Sequence, residues 1–394
     1  MLKAILKVLL PKALAASGTI LLTLIVPFLV DSKEAASLFI GISLIYVLGI
    51  ICRGGMDVWL LRYKSQKDSF FVVNYKDFMA FCLCNLIAVA IGIAYLFFLR
   101  EDDTFDWVFL SLPAFSSVGL LSFYIRGLGS DVWASIIEVG SISLVSSLFV
   151  VVGNFFSFGF SIQDYFLISC WFVFIVNFLL IVLKSKTEFG DSINIAFKES
   201  LIYLFNQLIS YLAQWLPIFF LGKLGVEWVV YFSLSNRIAS VLVFIGGSID
   251  SYSASRYSSL YKSNKYSELK HFRNRLTFIS MYASAASFLF VSLFSLLYGL
   301  LNNFNVYYFL FVIYLSVCYS LVISLGPNGY YLMMTERGGE VLANTLFYFM
   351  VSLLLIFISY LFEAPVVMVF IIGVAILFRQ VTLKIKVDKL LKEF

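Results

Sequence analysis

Long apolar runs, each closed by charged residues or by clusters of Gly, Pro and Asn, recur at 13–30, 35–52, 78–99, 107–124, 132–152 and 165–183. Six more lie at 200–221, 228–249, 276–297, 307–325, 341–361 and 365–381. Each stays apolar for about five turns, the length of a membrane-crossing helix of roughly 20 residues. A barrel strand would instead alternate over segments of about 10 residues. The pattern therefore predicts an all-α polytopic membrane protein with about twelve transmembrane helices.

Composition agrees: of 394 residues, 61% are hydrophobic and 13% charged, which excludes a soluble enzyme. The net charge of +5 reads as a topology signal rather than as affinity for nucleic acid. With the N-terminus inside, 24 of the 28 Lys and Arg residues fall on cytoplasmic segments or adjoining span ends. Lys33, Arg100 and Lys223 fall outside, among acidic residues such as Glu101, Asp102, Asp103 and Asp106, while Arg237 stays within the membrane. Both termini are thus expected in the cytoplasm. Lys3, Lys7 and Lys12 precede the first run in the manner of a signal peptide, but no small-residue cleavage site follows near Asp31, so this run reads as an uncleaved first span. Cys52, Cys82, Cys84, Cys170 and Cys318 lie within or beside apolar runs and suggest neither a disulfide framework nor a metal site. The single histidine, His271, excludes clustered His ligands and belongs to a basic face. No cofactor is implied.

Six spans return the chain to its starting side, so a duplicated unit would give two parallel six-helix lobes, 1–190 and 191–394, joined by a polar linker at 184–198. Pro27-Phe28 is echoed by Pro217-Ile218. Gly54-Gly55-Met56-Asp57 followed by Arg62-Tyr63 is echoed by Gly246-Gly247-Ser248-Ile249-Asp250 followed by Arg256-Tyr257. The alternative is that both are ordinary basic helix ends.

Two segments carry a resemblance to a known group of proteins. One is Tyr231-Phe-Ser-Leu-Ser-Asn-Arg237-Ile-Ala-Ser240 with Tyr257-Ser-Ser-Leu-Tyr261 and Lys265-Tyr-Ser-Glu268-Leu269; the other is Gly326-Pro-Asn-Gly329-Tyr-Tyr-Leu-Met-Met-Thr335-Glu336. They resemble polysaccharide exporters of the multidrug/oligosaccharidyl-lipid/polysaccharide (MOP) superfamily, in particular Wzx-type O-antigen flippases, with a departure at Glu336, where Gly is commoner. The resemblance implies a V-shaped, MATE-like pair of lobes around a cationic cavity in the bacterial inner membrane. It implies translocation of an undecaprenyl-diphosphate-linked oligosaccharide from the inner to the outer leaflet by alternating access, beside a polysaccharide polymerase and a chain-length regulator. Membrane lipid is the other expected partner; nucleic acid is not.

The residues suggest which side chains do the work. Arg237, near the middle of its span, would grip a diphosphate through paired hydrogen bonds or else pair with a carboxylate. Gln207, Ser210, Tyr211 and Gln214 share one face of span seven beside Asn206, and suit either sugar hydroxyls or helix packing. Glu138, the one carboxylate well within a span, could bind a coupling ion or pair with Arg126 or Arg237. Arg53, Asp57 and Arg62, with Asp250 and Arg256, could form a gate or simply orient helix ends. Lys12 could attract a diphosphate or snorkel to headgroups, and the run from Arg256 to Arg275 reads as a solvated cytoplasmic loop. Two other functions fit the spans: an ion-coupled multidrug exporter of the same superfamily, disfavoured by the scarcity of intramembrane carboxylates, and a membrane O-antigen polymerase, which would need a large external loop.

Overall fold

The computed structural model describes residues 10–14, 17–19, 21, 22, 26, 29, 32–65, 72–98, 100, 105–156, 159–184, 186–188, 197–301 and 305–393. Outside the described residues lie Pro27-Phe28, the acidic residues 101–103 and the centre of the linker at 189–196, as do the side chains of Gln214 and Arg237.

The protein is an all-α, multi-pass membrane protein. After helical turns around Lys12 the chain forms α1 (Ser32–Arg53), α2 (Met56–Ser65), α3 (Tyr75–Phe98), α4 (Asp106–Gly127), α5 (Asp131–Ile136), α6 (Gly140–Phe155) and α7 (Ile162–Lys184). There follow α8 (Phe197–Leu224), α9 (Val226–Ala239), α10 (Val241–Lys262), α11 (Tyr266–Leu301), α12 (Val306–Ser324), α13 (Asn328–Met334), α14 (Gly338–Leu361) and α15 (Pro365–Glu393). Two short strands, β1 (Val72–Asn74) and β2 (Lys186–Glu188), pair in parallel. Among the described residues seven helices are long and apolar enough to cross a membrane, or eight when the pair α1–α2, bent by 54°, is counted as one span. The apolar runs at 132–152 and 228–249 are each carried by a broken helix, α5–α6 and α9–α10.

The chain forms two compact units, which divide between Leu204 and Phe205. The reason is local. The first turns of α8 pack on the first unit, where Ser200 Oγ donates to the Gly54 carbonyl (3.1 Å) and Arg62 meets Glu199 (2.9 Å). In the first unit α4 is the axis, packed by α1, α2, α3, α5 and α7 and 72% buried along its apolar window, against 17% for α3. Its serines and glycines permit this approach: Ser111 and Ser116 return their hydroxyls to carbonyls four residues back, satisfying polar groups that lipid cannot. A Cβ at Gly119 would sit 2.5 Å from the Arg53 guanidinium. In the second unit Leu221, Phe232, Phe311, Leu315, Ile356, Met368 and Ile372 form one core drawn from α8, α9, α12, α14 and α15. The outer faces remain apolar and exposed, as at Phe290, Leu293, Leu297 and Leu300 of α11, the surface a lipid-facing helix presents.

The expected loop from Arg256 to Arg275 is not a loop. Residues through Lys262 continue α10, and α11 begins at Tyr266, so only three residues connect them. At 36 residues α11 is about 54 Å long, well beyond a hydrocarbon core of about 30 Å, and its basic start is helix outside the apolar layer.

Candidate functional site

In the first unit the charged side chains are drawn inward and paired. Glu138 lies two residues beyond α5, on the non-helical residues 137–139 that interrupt its span. One of its oxygens, Oε2, is 3.3 Å from Arg126 Nη2 and 3.5 Å from Lys12 Nζ. Lys12 does not snorkel: its side chain is 10% exposed, because a carboxylate lies within reach inside the unit. Arg126 is buried, 5.2 Å above the Phe123 ring, and its Nε has no hydrogen-bond partner.

Three further pairs surround α2. Asp57 is buried at its start, accepts from the Val58 amide (2.8 Å) and meets Arg53 at 3.4 Å. Arg62 pairs with Glu199 and donates to the Tyr203 hydroxyl at 3.4 Å. Lys64 and Asp77, neither singled out in the sequence, form a buried ion pair at 2.5 Å, with the ammonium 5.0 Å from the Tyr124 ring. Charge spacing alone held no signal for that pair, since both residues read as ordinary helix-end charges.

In the second unit the polar face of α8 is partly spent on packing. Asn206 is buried, accepts from the Thr345 hydroxyl (2.8 Å) and donates to Met333 sulfur, and Ser210 returns to the Asn206 carbonyl. Gln207 and Tyr211 are half-buried on the same helix. Arg237 stands near the end of α9, three residues before Ser240, where the helix gives way to α10. Asp250 lines a cavity of about 180 Å³ with Ser280, Tyr319, Gly326 and Gln380, and Arg256 packs on the Tyr252 ring at 3.8 Å while donating to its carbonyl.

Arg273 corrects the reading of a solvated basic face. It is 6% exposed, ion-paired with Asp388 (2.6 Å) and donates to Asn328 Oδ1 (3.2 Å). Asn328 in turn donates to the Leu325 and Gly326 carbonyls, and Gln380 donates to Gly326 (2.7 Å). The Gly-Pro-Asn-Gly segment is thus a joint that locks α11, α12, α13 and α15 together. His271, two residues away, is exposed. All five cysteines are free thiols, and no group of three His, Cys, Asp or Glu suited to a metal occurs among the described residues.

No family model and no curated protein matches the sequence. Solved structures do. An outward-facing multidrug resistance MATE family transporter of the MOP superfamily superposes with a TM-score of 0.76 at 15% identity, over 99% of this chain and 96% of that one. The fold is that of the MATE transporters. A MATE in complex with MaL6 gives a TM-score of 0.72 at 15% identity, over 100% and 97%. A MOP superfamily transporter from Pyrococcus furiosus, whose binding pocket of reversed polarity was taken to suggest a different function, gives 0.70 at 14% identity, over 99% and 96%. The MATE-like fold implied by the sequence motifs therefore extends over nearly the whole chain.

Proposed function

We propose that this chain is a transporter of the bacterial inner membrane, with both termini cytoplasmic, that flips an undecaprenyl-diphosphate-linked oligosaccharide between leaflets by alternating access. The observation that carries the reading is the state of Glu138: the one carboxylate well inside a predicted span is held between two buried cations. A site built to take up a cationic drug or a coupling cation would need that carboxylate unneutralised by protein cations; a site with surplus positive charge suits a diphosphate. Arg237 is assigned to the diphosphate, and Gln207, Tyr211 and Gln214 to sugar hydroxyls. The Pyrococcus structure supports the idea that this fold accepts pockets of differing polarity.

A multidrug exporter is the second reading, favoured by the likeness to a multidrug resistance MATE transporter. The test is reconstitution of the purified chain into liposomes carrying either a lipid-diphosphate oligosaccharide or a fluorescent organic cation. The flippase reading expects leaflet exchange of the first and none of the second; the reverse result overturns it. Arg237→Ala is expected to reduce lipid exchange at least about 100-fold in well-folded protein, with Arg237→Lys intermediate because it keeps charge but loses the forked geometry. Normal exchange by Arg237→Ala would remove this residue from the site. Tags after Phe394 and near Phe189 are expected inside, and tags near Asp103 and Asn303 outside.

A further inference from the structure

Lys12, Arg126 and Glu138 differ from the other ion pairs described in the first unit in that one carboxylate serves two cations. Glu138 stands 3.3 and 3.5 Å from its two cations, as loose as Arg53–Asp57 at 3.4 Å and looser than Arg62–Glu199 at 2.9 Å, which lies in the range of strong charge-assisted bonds. Both cations converge on the same oxygen. As in Arg62–Glu199, where the carboxylate is 44% exposed, the anion is the more accessible partner: Lys12 and Arg126 are 10% and 3% exposed, while the carboxylate that joins them is 31% exposed. The carboxylate is therefore the open side of the cluster.

Two local features make it replaceable. Glu138 is carried on the interruption between α5 and α6, with its carbonyl fixed by the Ser141 amide (2.8 Å) and hydroxyl (2.7 Å), so its side chain can rotate away while the backbone stays in place. Arg126 makes a single contact to the carboxylate, and its buried Nε is left without a partner. A guanidinium in that state offers two adjacent donors, the fork that matches a phosphate rather than one carboxylate oxygen. A buried N–H without an acceptor costs free energy that such a ligand would recover.

We infer that Lys12 and Arg126 form a phosphate-binding pair and that Glu138 is its built-in counter-ion, displaced when a phosphate group enters. This rests on the reading that the substrate is anionic, and it adds Arg126 to the site and gives Glu138 an exchange role in place of ion coupling. Two membrane sources supply the chemistry, a lipid diphosphate and an ordinary anionic headgroup.

The test uses the full chain in nanodiscs of zwitterionic lipid, titrated with inorganic pyrophosphate and followed by thermal unfolding; a second set of discs contains phosphatidylglycerol and no pyrophosphate. Wild type is expected to be stabilised by pyrophosphate, because a ligand bound only by the folded state raises the midpoint. Glu138→Gln should unfold earlier without anion, since two buried cations then lack their counter-charge, and should bind pyrophosphate about tenfold more tightly. Arg126→Gln should abolish the response, and Arg126→Lys should weaken it. Glu138→Asp, which keeps the charge but shortens its reach, should also bind more tightly than wild type, and serves if the Gln variant folds poorly. Stabilisation by phosphatidylglycerol discs that is lost in Arg126→Gln would support the pair with a headgroup phosphate as its ligand. Absence of any anion response in wild type and in both Glu138 variants, or equal affinities in all three, would overturn the inference and leave Glu138 a fixed scaffold partner. Should the anion responses follow expectation in a chain that flips no lipid-linked glycan, the pair stands and the flippase reading falls.

Discussion

The inner ends of the second and eighth predicted spans carry nearly the same string, Gly-Gly followed by Asp and then Arg, yet the two segments fold differently. At Gly54 and Gly55 the backbone turns left-handed, with φ of +55° and +73°, and the helix breaks by 54° into α1 and α2. Gly246 and Gly247 lie inside α10, which runs through them without interruption, and the break of that span comes earlier, at Ser240. The surroundings decide. A Cβ at Gly55 would stand 2.0 Å from the Ser200 carbonyl oxygen and 2.6 Å from the Leu204 amide, so backbone must pass there. A Cβ at Gly246 would meet only the Ile323 side chain, at 3.0 Å. Glycine is thus required for conformation and approach in one place and is close to a spacer in the other. The echo in sequence does not carry an echo in backbone geometry.

The largest expected effect tests that contrast. Gly55→Ala forces a Cβ into left-handed geometry and into backbone, a strain of about 2 kcal/mol before the clash is counted, and should leave little detergent-stable protein. Gly246→Ala should change stability by no more than about 1 kcal/mol, the helix preference of Ala offsetting the contact with Ile323. Equal losses for the two would erase the distinction. Asp57→Ala comes next: it strands Arg53 in a buried setting, and a thermal unfolding series should show a loss of about 3 kcal/mol. Arg62→Ala, which removes the contacts to Glu199 and Tyr203, should cost about 2 kcal/mol, whereas Arg256→Ala, which removes the stacking on Tyr252 and the bond to its carbonyl, should cost about 1 kcal/mol. The smallest effect has the opposite sign. Glu336 occupies a left-handed position, φ +68°, at the one place where its motif departs from a commoner Gly. Glu336→Gly should therefore stabilise by roughly 0.5–1 kcal/mol; a lower unfolding midpoint would show that the Glu side chain does more than tolerate the turn.

These cases also mark what the sequence could reveal. Span positions were legible because a bilayer demands long apolar stretches, and hydropathy records that demand residue by residue. Breaks within spans were not: residues 137–139 and Ser240 fall inside runs long enough to cross a bilayer, and none of these positions holds Pro or Gly. Charge number was legible but charge burial was not. Lys12, Lys64 and Arg273 each looked like a solvated helix-end cation, and each is turned inward toward Glu138, Asp77 or Asp388 supplied by another helix or helix end. The Gly-Pro-Asn-Gly motif was visible as a motif, while its work as a joint required knowing that Arg273 and Gln380 reach it. Asn206 shows the same limit, since one helical face holds both a packing amide and half-exposed Gln207.

The short parallel ladder between β1 and β2 sets an order of events in biogenesis. Val72 pairs with Lys186, so the second strand is made 114 residues after the first, once four intervening spans have left the ribosome. At translation rates of about 5–20 residues per second, β1 waits on the order of ten seconds for its partner. A parallel pair cannot be closed by a tight turn, and here the crossover is the greater part of a membrane domain. Formation of this ladder therefore timestamps synthesis of the chain through α7, and a cysteine pair at Val73 and Thr187 would let disulfide capture on arrested nascent chains read that clock.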